Sequence, residues 1–231
     1  MNLAIMQPYL FPYTGYFNLV ARVDKFVFYD DVNFIKNGWI NRNRLFLSGD
    51  VRYFTVPLSG GSSNLKITEV KCQSKTAWSR KMLESIKQSY GRAPYFASTF
   101  DLIKEVLDTD SECIAVLAKR SIQMTAERLG YSTSFEQTSR IYNNAALSGM
   151  ERVVDICIKE GAQTYVNLPG GKHLYDSKIF EENSIDLVFS RPTFMAYQQF
   201  DRDFQPGLSI LDVMMFNDLA ACREVLAQEE A

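Results

Sequence analysis

The sequence predicts an α/β fold: a Rossmann-like parallel sheet core with a β-hairpin insertion, a helical middle and a helical C-terminal part. Two strand–loop–helix–strand units and one hairpin signal lead to it. The first unit runs from a short apolar strand at 3–7, through a helix-like stretch at 17–22, to a strand at 25–29; the second runs from 164–168 through 175–180 to 185–189. Strands that alternate with helices at such spacing pair in parallel, because the crossover helix carries the chain back to the same end of the sheet. The hairpin signal is Ser48-Gly49-Asp50, set between β-rich runs at 45–47 and 51–58.

In chain order, residues 8–16 form an aromatic loop punctuated by Pro8, Pro12 and Gly15, at the carboxyl end of the first strand, where such folds bind ligands. After the hairpin, 60–64 is a glycine- and serine-rich loop and 67–70 reads as a strand. Trp78, Met82, Leu83 and Ile86 recur at helical spacing until Ala93-Pro94-Tyr95-Phe96 interrupts them. Helical segments follow at 100–107 and 113–129, the latter stopping at Gly130 as helices often stop. At 148–160 an amphipathic helix places Val153, Val154, Ile156, Cys157 and Ile158 inward and ends at Gly161, and 208–231 reads as a helical tail whose apolar run at 208–216 belongs to the core, with homodimer contact as the lesser reading.

With 231 residues and 46% hydrophobic content, the chain has enough apolar material to bury a core, and no linker, repeat or low-complexity tract divides it, so one domain over 1–231 is expected. Its 25 basic residues balance 27 acidic ones and its pI is 5.6, which argues against a dedicated nucleic-acid surface. No signal peptide and no membrane-length apolar run is readable, so the expected location is cytoplasmic. The cysteines Cys72, Cys113, Cys157 and Cys222 stand singly, with Cys113 and Cys157 on apolar helical faces, so no structural zinc is expected. His173 is the sole histidine, which excludes any two-histidine metal site.

The densest concentration of polar and aromatic side chains spans Gln7 to Arg44. Gln7, Tyr9, Tyr13, Tyr16, Asp30, Asp31, Lys36, Trp39, Asn41, Arg42 and Arg44 all fall at strand ends or in loops, where binding groups gather on a rigid scaffold. Arginine and lysine at one rim suit phosphate or carboxylate, through paired guanidinium hydrogen bonds or a compact ammonium charge. Asp30-Asp31 can orient a base, bind an amine or simply cap a turn. Gly170, Gly171, Lys172 and His173 follow a strand and precede a possible helix, so that backbone amides can approach an anion, although the Walker spacing is absent. No nucleophile elbow, paired catalytic carboxylates or dinucleotide fingerprint is present.

Five segments together resemble the WbqC-like protein family: MQPYLFPYTGYF at 6–17, FVFYDDVNFIKNGWINRNRL at 26–45, APYF at 93–96, ERVVDICIKEGAQTYVNLPGGKHLY at 151–175 and QQFDRDFQPGLSILDVMMFN at 198–217. The resemblance covers nearly the whole chain and implies one WbqC-like domain, with 97–147 contributing little. Members are associated with O-antigen and other surface-polysaccharide (lipopolysaccharide) gene clusters, and a glycine transferase role has been suggested for some. The implied activity is an aminoacyl or acyl transferase acting on the amine of an amino sugar, with a nucleotide-linked amino sugar and an amino-acid donor as small-molecule partners. In that reading Asp30, Asp31 or His173 serves the amine, Lys36, Asn41 and Arg42 hold phosphate or carboxylate, and Tyr9, Tyr16 and Trp39 line a sugar or base pocket. The opening loop is also similar to the His-x-Gly-His loop of nucleotidylyltransferases, with Tyr13 and Tyr16 where the histidines stand. That similarity implies an alternative, an ATP-dependent amide ligase using Mg²⁺; a non-catalytic sugar-nucleotide-binding accessory protein is the third reading.

Overall fold

A computed structural model describes residues 1–228. The first unit forms as its pattern dictates: β1 (Asn2–Met6), α1 (Thr14–Ala21) and β2 (Lys25–Phe28), with β1 and β2 parallel from Leu3↔Lys25 to Met6↔Phe28. The helix starts at Thr14, ahead of the apolar stretch, and is buried all round from Thr14 to Val20, so its first turn belongs to the core as well. The hairpin follows as β3 (Arg42–Leu47) and β4 (Asp50–Thr55), paired from Arg42↔Thr55 to Leu47↔Asp50. Ser48 and Gly49 form its two-residue turn with φ of 55° and 84°, the left-handed pair whose twist matches the flanking strands.

Residues 67–70 depart from the strand expected there. They form a 3₁₀ turn at Ile67–Glu69, because the Glu69 carboxylate accepts the Lys66 backbone N–H at 2.7 Å; the pairing moves to β5 (Leu58–Ser59) and β6 (Lys71–Cys72). The helical middle comprises α2 (Lys75–Tyr90), α3 (Phe96–Leu107) and α4 (Ile114–Arg128). Cys113 is the N-cap residue of α4 and not a member of its apolar face. Then come β7 (Ser134–Glu136), α5 (Gly149–Glu160), β8 (Thr164–Asn167), α6 (Ser177–Glu182) and β9 (Asp186–Phe189). The expected helical tail is split in two, α7 (Ile210–Phe216) and α8 (Leu219–Leu226), because Asn217 takes an extended conformation and Asp218 caps α8 by accepting the Ala221 N–H at 2.8 Å; residues 229–231 of the expected tail lie outside the described residues.

β7, β2, β1, β8 and β9 lie side by side in that order, all parallel. In chain order this is third, second, first, fourth, fifth, the doubly wound arrangement in which the connections leave β1 in opposite directions and open a crevice at the carboxyl ends of β1 and β8. Alternation sorts the side chains. Leu3, Ile5, Val27 and Tyr165 face a layer built by Val153, Ile156 and Cys157 of α5 and Phe180 of α6, whereas Ala4, Phe26, Phe28 and Val166 face the larger layer that holds α1, α4, α7, α8 and the hairpin. Among the described residues no helix is long and apolar enough to cross a membrane.

Candidate functional site

The carboxyl edge of β1 feeds the loop 7–13, whose shape other elements impose. Phe11 has a φ of 41°, uncommon for a bulky residue, and three side chains from elsewhere fix it. Ser121 of α4 accepts its N–H at 2.9 Å, while Asn43 of β3 and Ser209 ahead of α7 donate to its carbonyl at 3.0 and 2.7 Å. Leu10 N–H donates to Trp39 carbonyl at 3.0 Å, which joins this loop to the one leading into β3. The strain is therefore over-determined, and the loop it shapes carries Tyr9 and Tyr13 into the lining of one cleft.

That cleft has a volume of about 270 Å³ and is lined by Tyr9, Pro12, Tyr13, Trp39, Asn43, Arg44, Phe194 and Gly207. Tyr13 and Phe194 face each other with ring centres 6.2 Å apart, and the Arg44 guanidinium lies 5.7 Å from the Trp39 ring. Arg44 donates from Nη2 to the Gly207 carbonyl at 2.9 Å, while its Nε is buried without a partner. An unsatisfied buried donor costs about 1–3 kcal/mol, more when charged. Burial raises the hydroxyl pKa of Tyr9 and of Tyr13, the latter also through Tyr9, so both stay neutral hydrogen-bonding groups. No carboxylate, imidazole or thiol lines the cleft among the described residues.

The other sequence-predicted residues are spread over four places. Lys36, Asn41 and Arg42 line a second, shallower cleft of about 340 Å³. There Asn41 donates to the Val56 carbonyl at 2.9 Å, and Arg42 donates to Gly38 and Asn37 carbonyls and stacks 4.3 Å over Tyr53, so these two fasten the loop before β3. Tyr16 is fully buried in the core, with its hydroxyl donating to the Gln7 carbonyl at 2.8 Å; Gln7 Oε1 is buried without a partner. Gly170, Lys172 and His173 are exposed and Gly171 half-buried, in a 3₁₀ turn at Pro169–Leu174, directly after β8 on the same sheet edge but outside the cleft lining.

Asp30 and Asp31 are both buried, each in a separate ion pair. Lys119 and the Thr138 hydroxyl reach Asp30, and Arg152 at 2.6 Å and the Ser139 hydroxyl reach Asp31. Asn144 accepts from Arg152 Nε at 2.9 Å, and Tyr29 lies under the guanidinium at 5.0 Å, so this arginine is held by a carboxylate, an amide and an aromatic face from the chain itself. Burial alone would raise the Asp31 pKa, but hydrogen bonds from Ser139 and Arg152 and the charges of Arg152 and Lys66 outweigh it and hold the carboxyl below the ordinary range. Among the thiols, burial pushes Cys72, Cys157 and Cys222 up to about 12, which makes them poor nucleophiles.

The model of the WbqC-like protein family matches residues 7–224. The chain belongs to the WbqC-like protein family. Within the WbqC-like family the match takes in every lining residue of the aromatic cleft and both aspartate pairs. A relative from Mycobacterium tuberculosis (strain H37Rv), the uncharacterized protein Rv1507c, is 31% identical over 220 residues, covering 94% of this chain and 93% of that one. No solved structure matches. Sequence reasoning placed Tyr9, Tyr13 and Trp39 in the site and left Asn43, Phe194 and Gly207 out of it. Gly207 sits in the Gln-Pro-Gly of the fifth family segment, a usable signal, whereas Phe194 belongs to a loop with none.

Proposed function

We propose that this WbqC-like protein transfers an aminoacyl group, glycyl or another acyl, to the amine of an amino-sugar intermediate in surface-polysaccharide (O-antigen) assembly, with the aromatic cleft as its sugar site. One observation carries the reading: four aromatic side chains and an arginine converge at the carboxyl edge of the first strand of a doubly wound sheet, where the topology opens a ligand crevice. Aromatic faces bind the apolar face of a sugar ring while polar groups at the rim fix its orientation. In the transfer, the amine nitrogen attacks the acyl carbon, the bond to the donor's leaving group breaks, and the ammonium proton passes to a base. Since Asp30 and Asp31 hold buried cations, they fix the loop that leads to the cleft, and the exposed His173 is the group this reading assigns to proton removal.

The lack of a carboxylate, imidazole or thiol in the cleft lining favours a second reading, a non-catalytic protein that holds the sugar for another enzyme. One experiment separates the two. The purified protein is given an amino-sugar nucleotide with an activated glycyl or acetyl donor, with and without ATP-Mg²⁺, and the amide is sought by mass spectrometry. Product that falls at least tenfold in His173→Ala supports the transferase. Binding without product under every donor supports the accessory role, and product dependent on ATP-Mg²⁺ replaces transfer by ligation.

A further inference from the structure

Three buried side-chain atoms among the described residues have no partner: Gln7 Oε1, Thr14 Oγ1 and Arg44 Nε. Thr14 borders a void of about 10 Å³, whereas Arg44 is set in the wall of a cleft large enough for a ligand. Its guanidinium lies against the Trp39 ring and gives one hydrogen bond, from Nη2 to the neutral Gly207 carbonyl; Nε itself is buried, and among the described residues no carboxylate pairs with this cation in the cleft wall. A cationic donor held in place and left unpaired matches an oxyanion, for which the guanidinium fork is the best geometric complement among side chains.

A doubly wound fold has an alternative place for an anion, the N-terminus of the helix after the first strand. Here that place is covered. A Cβ at Gly15 would lie 2.5 Å from Tyr13 Cε2 and 2.9 Å from Pro192 Cγ, so the tyrosine ring and the proline sit directly on the first turn of α1. The Tyr13 ring that covers the helix end also lines the cleft, and the cation that shares that lining is Arg44. The enclosed volume of about 270 Å³ is at the small end for ligand clefts, room for one ring and not for a dinucleotide.

We propose that the cleft binds a single sugar ring bearing an oxyanion, phosphate or carboxylate, with the ring against the aromatic walls and the oxyanion on the Arg44 guanidinium. This deepens the sugar-site assignment of the proposed function and does not require transfer chemistry. The chain has two tryptophans, Trp39 and Trp78, and Trp78 lines a different cleft, so in Trp78→Phe the emission of Trp39 reports the site directly. The probes are glucosamine 1-phosphate, glucuronate and uncharged glucose and N-acetylglucosamine. The expected result is saturable change with one or both charged sugars and at least tenfold weaker response to the neutral ones; the stronger charged probe identifies the oxyanion.

Arg44→Gln should erase that selectivity, and Arg44→Lys, which keeps the charge but lacks the guanidinium fork, should recover only part of it. Equal affinity for charged and neutral sugars in the Trp78→Phe protein overturns the proposal without any Arg44 variant, as does silence with all four probes. Unchanged charged-sugar affinity in a folded Arg44→Gln protein overturns it as well. Charged-sugar binding without amide formation would remove the transferase reading and leave this inference standing, whereas amide formation with neutral and charged acceptors at equal affinity would do the reverse.

Discussion

Around Asp30 and Asp31 each buried anion faces a cation, Lys119 in one case and Arg152 in the other, and hydroxyls and an amide take up the remaining valences. Around Arg44 there is a cation with a carbonyl, an aromatic face and no anion. Both regions lie at the carboxyl edge of the same sheet, and both contain the residue types from which sites are made. Their difference separates charge that has been spent on the fold from charge that is still available. A side chain whose partners all come from the chain itself has its interactions in the unliganded state, and a ligand would have to displace them.

The largest expected effect breaks the aspartate side of this comparison. Asp31→Ala leaves Arg152 buried without its counter-ion, and loss of one partner from a buried pair costs about 3–5 kcal/mol. The urea midpoint should fall accordingly, with the slope unchanged. A loss below about 1 kcal/mol would show that Arg152 does not depend on Asp31, and would return Asp31 to the set of groups free for chemistry.

Asp212 sharpens the comparison from a third direction, since it is a buried anion with no cation at all. Tyr90, Tyr197 and the Gln199 amide each donate to it at 2.6 Å, and through them it ties the loop that carries Phe194 and Gly207 to α7. Asp212→Asn replaces an acceptor with an amide that turns a donor toward the hydroxyls, at a cost of about 1–3 kcal/mol. Because the same loop lines the cleft, the variant should also weaken sugar binding, read from Trp39 emission. Destabilisation without any change in binding would mean that the loop is held at the cleft by other contacts.

Trp39→Ala should act the other way round. Trp39 is partly exposed and its ring contacts are Tyr53 and the Arg44 guanidinium, so its removal should leave the thermal midpoint nearly unchanged. Ligand affinity, measured by calorimetry, should fall by about tenfold, the scale of one aromatic contact. A large drop in the midpoint with intact affinity would make Trp39 a packing residue of the hairpin and not a wall of a site.

The contrast between spent and available charge was not legible in the sequence. The strands, the hairpin and most helices were, because apolar patterning and turn residues act locally; Ser48-Gly49 and the short continuous apolar runs of β1 and β2 are of this kind. β7 escaped because three residues at a sheet edge, two of them polar, leave no periodicity to detect, and 67–70 went to a 3₁₀ turn because one carboxylate, Glu69, reached back to Lys66. At the site, composition marked 7–44 as a cluster but could not tell Arg42 from Arg44. These residues lie two apart in β3 and share a face, and what separates them is the long-range fact that Arg42 lies over its own hairpin while Arg44 meets Gly207 from the far end of the chain.

The smallest expected effect is in the pH dependence of stability, where the two kinds of buried carboxylate have opposite signs. Asp31 has a folded pKa below its unfolded one, so its contribution is complete above about pH 4 and is lost as pH falls through the depressed value. Asp212 is raised by burial against the pull of its hydrogen bonds from Tyr197, Tyr90 and Gln199, so its contribution is complete below about pH 4 and is lost as pH rises through the elevated value. Subtracting the Asp212→Asn midpoint from the wild-type midpoint at each pH cancels every other carboxylate, and the difference should grow in favour of wild type as pH drops from 7 toward 4. The matching difference for Asp31→Asn should be flat over that range and shrink only below it. If both differences move in the same direction between pH 7 and 4, the three neutral donors hold Asp212 ionised as firmly as Arg152 holds Asp31, and a counter-ion is not what distinguishes the two sites.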